Sequence, residues 1–402
     1  MGPLHGLRVI EIASIGPGPF AAMLLADMGA DVLRLERPAP PSDDLAAGRW
    51  NVLNRGRPSV SVDLKNEAGR LLVARLAESS DVLIEGFRPG VMERLGLGPD
   101  ELLARNESLC YARMTGYGQS GPLSSRAGHD INYISIAGVL GSIARRGERP
   151  MFPLNLVGDF GGGGMLLAFG VLCAVLEMRT SGRGQVVDAA MVDGAALLSA
   201  NIHALRSAGM WKAEPGTNLL DGGAHFYEVY ETACGGHIAV GPLEPQFYVE
   251  LCRIAGFDVA QLPQWDRERW PELKEQLAAV FRQRTRDEWV EIAEHADACL
   301  TPVLGLDEAP EHPHNRARGT FITVDDVMQP APAPRLSRTP GEIRRPPADP
   351  GADTDWALTE WGVTDQELAD LHRAGAFGRL FDEAGGEGGD NKGNDERNGV
   401  QP

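Results

Sequence analysis

Apolar positions in the first part of the chain fall into short unbroken runs separated by stretches of helical spacing. Residues 7–13 (LRVIEIA) make the first run. Glycine and proline alternate over the turn Gly16–Pro19. Apolar residues at helical spacing then run from Phe20 to Met28, and a second run lies at 31–36 (DVLRLE). The pattern returns as SVSVDL at 59–64, a helical stretch over 67–78, DVLIEGF at 81–87 and LCYARM at 109–114. Short apolar runs alternating with helices predict βαβ units, a parallel sheet and one α/β domain. Farther on, a long helix is expected after the glycine run Gly161–Gly164, and a strand over 184–194 (GQVVDAAMVDG).

The texture changes after about Gly216. Residues 225–242 (HFYEVYETACGGHIAVGP) predict a β-hairpin turning at Gly235-Gly236, followed by helices at about 245–256, 270–283 and 286–297. Together they make a smaller α+β unit over 222–315. The proline-rich stretch 329–350 is expected to run extended. The helical pattern over 364–375 has Thr364 placed as a cap, with Glu367 three residues on. From Asp382 onward apolar content is lost, and the tail 382–402 is expected to be disordered.

Composition bears mainly on partners. Across 402 residues, Lys and Arg total 38 against 56 for Asp and Glu, a formal charge of −18. A surface that acidic repels phosphate backbones, so nucleic acid is not an expected partner. Any polyanionic ligand must be met by a local basic pocket, which makes individual arginines informative. The cysteines (Cys110, Cys173, Cys234, Cys252 and Cys299) are widely spaced without a CxxC pair. They predict neither a disulfide framework nor a zinc site and suit a reducing cytoplasm. His312 and His314 lie on a polar stretch without supporting carboxylates, so no metal is expected. The N-terminus lacks the basic start of a signal peptide. The longest apolar stretch, Met165 to Leu176, falls short of the ~20 residues that span a bilayer, so no membrane partner is expected.

Gly16, Gly18 and Ala21 match the G-x-G-x-x-A dinucleotide fingerprint, with Glu36 about twenty residues on. Pro17 and Pro19 argue against that reading. They remove backbone N–H donors from the turn that would have to cradle a pyrophosphate. A tight strand-to-helix turn is the expectation instead, with no nicotinamide cofactor.

Several longer segments occur together and in order. They are GLRVIEIASIGPGPFAAMLLADMGADVLRLERP, VDLK at 62–65, DVLIEGFRPGVMERLGLG at 81–98 and YARMTGYGQSGP at 111–122. They continue with AGHDINYIS at 127–135, PLNLVGDFGGGG at 153–164, GQVVDAAMVDG and PAPRLSRT at 332–339. On these segments the chain, from residue 4 to about 375, resembles the family III CoA-transferase superfamily and, within it, the alpha-methylacyl-CoA racemases. The resemblance implies a Rossmann-like large domain over 1–200 and 330–380, joined by linkers 201–221 and 316–329 to the small domain. It also implies an intertwined homodimer, with active sites between one subunit's large domain and the other's small domain. CoA would enter only as part of the substrate.

Epimerising the α-carbon of a 2-methylacyl thioester means removing a proton from one face and returning one to the other, which two flanking acid/base groups can do. A lone histidine, or an aspartate ahead of a glycine-rich helix start, also has an ordinary structural reading. The resemblance assigns His129, in AGHDINY, as acceptor on one face and Asp159, in NLVGDFGGG, as donor on the other. Imidazole titrates near neutrality. The carboxyl needs an environment that keeps its proton. Glu244, in GPLEPQFY, matches the carboxylate that orients the histidine. Backbone amides of Gly161–Gly164 are candidate donors to the enolate oxygen.

For the CoA moiety, Arg37, Arg88 and Arg94 are the expected phosphate contacts. The resemblance adds Val62, Asp63, Leu64, Lys65, Gly86 and Phe87, together with Gly128, His129, Asp130, Ile131, Asn132 and Tyr133. Two further readings belong to the same superfamily: a CoA-transferase using Asp159 as nucleophile, and a non-catalytic acyl-CoA binder. The transferase branch typically carries tyrosine or phenylalanine where this chain has His129. Loss of catalytic groups, which a non-catalytic binder would show, is not seen.

Overall fold

In the computed structural model, residues 2–38 and 48–378 are described, so the tail expected from Asp382 lies outside the described residues. Six strands form the main sheet: β1 (Arg8–Ile12), β2 (Asp31–Glu36), β3 (Ser59–Ser61), β4 (Val82–Glu85), β5 (Cys110–Thr115) and β6 (Val186–Ala190). Their order is β3-β2-β1-β4-β5-β6, and every pairing is parallel. Alternate side chains send the strands' apolar residues to opposite faces. Ile10, Leu33 and Leu83 pack beneath α2 (Glu67–Glu78) and the chain's late helices. Val9, Val32, Val82 and Ile84 pack beneath α1 (Pro17–Asp27) and, farther along the chain, α6 (Leu166–Ser181). The α/β architecture expected from the patterning is therefore the one observed, with two smaller sheets farther along the chain.

Three short helices precede that second cover: α3 (Val91–Arg94), α4 (Pro99–Arg105) and α5 (Asp130–Ile136). After β6 come α7 (Met191–Leu198) and α8 (Ala200–Ser207), the latter inside the stretch expected as a linker. The hairpin at Gly235 forms as expected from β7 (Glu228–Glu231) and β8 (His237–Val240), with Glu231 opposite His237. Gly235 supplies the positive φ that the turn needs. Helices α9 (Pro245–Ala255), α10 (Trp270–Phe281) and α11 (Arg286–Ala293) cover it, and β9 (Leu300–Pro302) adds a third strand that the patterning did not reveal. Their core is aromatic: Phe226, Tyr248, Trp270, Phe281 and Trp289 are buried together.

Helix α12 (Pro313–Arg318) leads into a hairpin of β10 (Phe321–Val324) and β11 (Val327–Pro330), so the start of the expected extended stretch is paired. Residues from α13 (Thr354–Glu360) and α14 (Asp365–Arg373) then return to the sheet, where Leu358 and Leu368 join the core over Ile10 and Leu33. The expected capping box is present: the Thr364 N–H donates to Glu367 Oε2 at 2.8 Å and the Glu367 N–H to Thr364 Oγ1 at 3.4 Å.

Four expectations are corrected. The strand at 59–64 stops at Ser61, because Asp63 accepts the Lys65 N–H at 2.9 Å and Asn66 caps α2, which turns the chain. The segment 184–194 is strand only to Ala190, and α7 begins at Met191. The glycine run does not precede a helix but lies inside one, since Leu156–Met165 is wound as a π-helix continuous with α6. Joined in this way, the helical run Leu156–Ser181 has 26 residues, long and apolar enough to cross a bilayer, contrary to the length argument. One side packs on the sheet through Leu167, Val171 and Val175, while Phe169 and Leu176 are exposed.

Glycine is tolerated mid-helix here because the neighbouring helices come too close for side chains. A Cβ on Gly164 would stand 2.6 Å from the Phe20 ring, and one on Gly194 of α7 would stand 1.9 Å from the Gly162 carbonyl oxygen. Backbone cannot yield as a side-chain tip does. Gly194→Val is therefore expected to destabilise the fold by about 3 kcal/mol, read as a lowered urea midpoint at unchanged m-value.

Candidate active site

The loops that matter leave the carboxyl ends of the parallel strands. From β1 the chain turns toward β2 and β3, and from β4 it turns the other way toward β5 and β6, which opens a crevice where the order reverses. Loops after β1 and β4 touch there: a Cβ on Gly86 would stand 2.8 Å from the Ser14 Cβ. Gly16, at φ 73°, ends the turn after β1, and Pro17 and Pro19 fall in the first turn of α1, where a missing N–H costs no helical bond. The position a Cβ would take on Gly16 lies 3.3 Å from Asp159 Oδ2. The place above this glycine-rich turn is therefore held by a carboxyl group of the chain itself.

His129 is exposed and stands immediately before α5, where Asn132 Oδ1 accepts its backbone N–H at 3.0 Å. The next residue, Asp130, is buried, and its Oδ2 accepts the backbone N–H of Asp159 at 2.7 Å. This crossing brings the two sequence-predicted acid/base groups into one place. Burial pushes the half-buried Asp159 carboxyl above its ordinary range. A hydrogen bond from Asn155 Nδ2 at 3.0 Å opposes the shift, the Asp130 charge adds to it, and His129 opposes it. A carboxyl whose pKa is raised, close enough to an exposed imidazole to feel its charge, is suited to donate on one side of a bound carbon while the imidazole accepts on the other.

The expected enolate donors are not available. Amides of Gly161–Gly164 belong to the interior of the helical run, and these glycines serve close packing against α1 and α7. Sequence reasoning also missed Asn155, although its spacing four residues before Asp159 places the two on one helical face.

Residues expected to meet CoA line the same edge of the sheet. Arg37 follows β2, Val62 to Lys65 follow β3, Gly86 to Arg88 follow β4, and Gly128 to Tyr133 come after β5. Arg37, Arg88 and Arg94 are exposed, as are Lys65, Ile131 and Asn132. The side chains of Val62 and Tyr133 are buried, so these residues can offer a ligand backbone only. Tyr133 underpins the loop instead. Its hydroxyl donates to the Gly128 carbonyl oxygen, and its ring meets that of Tyr117 edge-on at 4.9 Å. Burial pushes the Tyr133 hydroxyl up to about 12, with the charges of Tyr117 and Asp159 adding and Arg88 opposing. Arg88 and Asp159 therefore act on one side chain.

Among the described residues, no hydrogen bond or ion pair joins Glu244 to His129. Glu244 stands exposed at the start of α9, and its charge is felt at Cys299, whose thiol is pushed up by burial first and then by Asp297 and Glu244. A cavity of about 850 Å³ opens nearby, lined by Val157, Leu198, Tyr227, Val240 and Cys299 among others. None of the residues expected in the catalytic or CoA site lines it.

A family model described as CoA-transferase family III matches residues 4–354. The chain belongs to CoA-transferase family III. Among family members, it is 47% identical over 373 residues to an alpha-methylacyl-CoA racemase of Mus musculus, covering 92% of this chain and 96% of that one. It is 44% identical over 375 residues to the alpha-methylacyl-CoA racemase of Homo sapiens, again covering 92% and 96%. The crystal structure of Rv3272 from M. tuberculosis superimposes with a TM-score of 0.73 at 29% identity, over 88% of this chain and 98% of that one.

Proposed function

We propose that this protein is an isomerase, an alpha-methylacyl-CoA racemase that epimerises the α-carbon of 2-methylacyl-CoA thioesters by two-base proton transfer through an enolate. The observation that carries the reading is the meeting of an exposed imidazole with a half-buried carboxyl, whose pKa burial raises, at the sheet's switch point. The likeness to two proteins named as racemases supports it.

In this reading His129 takes the α-proton from one enantiomer while Asp159 delivers one to the opposite face, and the two exchange roles in the reverse direction. No cofactor is needed, because the thioester itself acidifies the carbon. Arg37, Arg88 and Arg94 receive the phosphates of CoA at the open edge of the sheet. Residues 1–200 and 330–380 act as the CoA-binding domain and 222–315 as the smaller one. A homodimer in which Glu244 of one subunit orients His129 of the other is supported by the exposure of both residues and by the apolar residues left outward on the Leu156–Ser181 run. Five free cysteines suit a cytoplasmic location.

Incubation with (R)-2-methylacyl-CoA in heavy water is expected to give the S epimer with deuterium at the α-carbon, followed by NMR and chiral chromatography. CoA appearing on an added carboxylate acceptor, with no deuterium in the thioester, would instead make Asp159 a nucleophile and the protein a transferase.

A further inference from the structure

We propose that Asp130 is a positioning residue that ties the two acid/base groups together, its carboxylate fixing where Asp159 stands relative to His129. This rests on the racemase reading for its consequence, although the contact itself does not. Asp130 directly follows His129, so any movement of its backbone moves the imidazole. Its side chain reaches from the start of α5 into the helical run that carries Asp159 and accepts that residue's own N–H at 2.7 Å. The approach is close because residue 158 is glycine, where a Cβ would stand 2.4 Å from Asp130 Oδ2. One side chain thus sets the distance between acid and base.

The same carboxylate has an electrostatic effect. Asp130 is only 6% exposed, its Oδ1 has no hydrogen-bond partner, and no Lys or Arg among the described residues forms a salt bridge with it. A buried, uncompensated negative charge beside Asp159 makes ionisation of the second carboxyl costlier. The other groups facing Asp159 are few. Asn155 donates to it from its own helix, His129 opposes its protonation, Tyr133 of α5 lies close enough to feel its charge, and Gly16 brings no charge. Of these, Asp130 alone both holds the backbone of Asp159 and favours its protonated form.

Two variants separate the effects. Asp130→Ala removes the acceptor and the charge, while Asp130→Asn keeps an acceptor oxygen and removes the charge. In the full-length enzyme, Asp130→Ala is expected to lower kcat for epimerisation about 10²-fold with little change in KM, the scale of a 1 Å misplacement. Asp130→Asn is expected to recover most of that loss below neutral pH. Carbon-13 NMR of labelled aspartate, with the Asp159 signal assigned by its absence in Asp159→Asn, is expected to show Asp159 titrating at lower pH in both variants. An unchanged kcat in Asp130→Ala overturns the inference. So does an Asn variant as impaired as the Ala variant with an equally lowered Tm, or an unmoved Asp159 titration. A wild-type enzyme that fails to epimerise in the same assay sinks the racemase reading instead, and the carboxyl titration then judges Asp130 on its own.

Discussion

Replacing His129 by alanine is expected to cut epimerisation about 10³-fold while leaving acyl-CoA affinity essentially unchanged. The imidazole is exposed and does not belong to the packed core, so its loss leaves no cavity. The turn it occupies is held by the backbone N–H of residue 129 on Asn132 Oδ1 and by Asp130 on Asp159, neither of which involves the imidazole. Asp159 stays in place in the variant and still faces one side of the α-carbon. The enantiomer whose proton points at Asp159 should therefore keep slow exchange with solvent, while the other loses it. Calorimetric binding of a non-isomerisable acyl-CoA thioether and deuterium exchange from each enantiomer check this. A fall in affinity as large as the fall in exchange would make His129 a structural residue.

The sheet was readable because buried parallel strands leave a local mark. In β1 and β4 nearly every residue is buried, and the runs RVIEI and VLIE show it without reference to anything distant. Glu11 in the middle of β1 shows where that reading stops. It is fully buried, and Arg34 and Arg57 pair with it, the latter at 3.3 Å. A strand pattern cannot announce partners that lie 23 and 46 positions away. The glycine run failed for a related reason. Helix propensity places four glycines outside a helix, but Gly194, Pro17 and Phe20 press on that stretch so closely that only glycine fits, and packing overrides propensity.

For the site, the residues were legible but their arrangement was not. His129 and Asp159 stand 30 positions apart, and only motif resemblance joined them. The hydrogen bond that unites them belongs to Asp130, which the sequence presented as one more ligand contact. Tyr133 and Val62 were placed at the ligand site by the family resemblance, and both side chains are buried in the scaffold. Glu244 lies on the other unit, and no local pattern says which histidine it would face.

Asp159→Asn is expected to separate exchange from inversion, an outcome that a generally damaged enzyme would not produce. Asparagine keeps the shape and the backbone N–H that Asp130 holds, but it cannot carry the proton across. Epimerisation should fall about 10³-fold in both directions, since each direction needs one step at residue 159. Exchange should survive for the enantiomer whose α-proton faces His129, with retained configuration, because the imidazole can remove and return a proton on its own side. The pH dependence follows from the same carboxyl. Burial raises the pKa of Asp159, so in the wild type it remains a donor to higher pH than an ordinary aspartate, and the donor is lost as pH rises through that raised value. Asparagine has no such transition, so the residual exchange of the variant should lack the loss at rising pH that Asp159 causes in the wild type. Equal loss of exchange from both enantiomers would mean that Asp159 positions the thioester rather than delivering its proton.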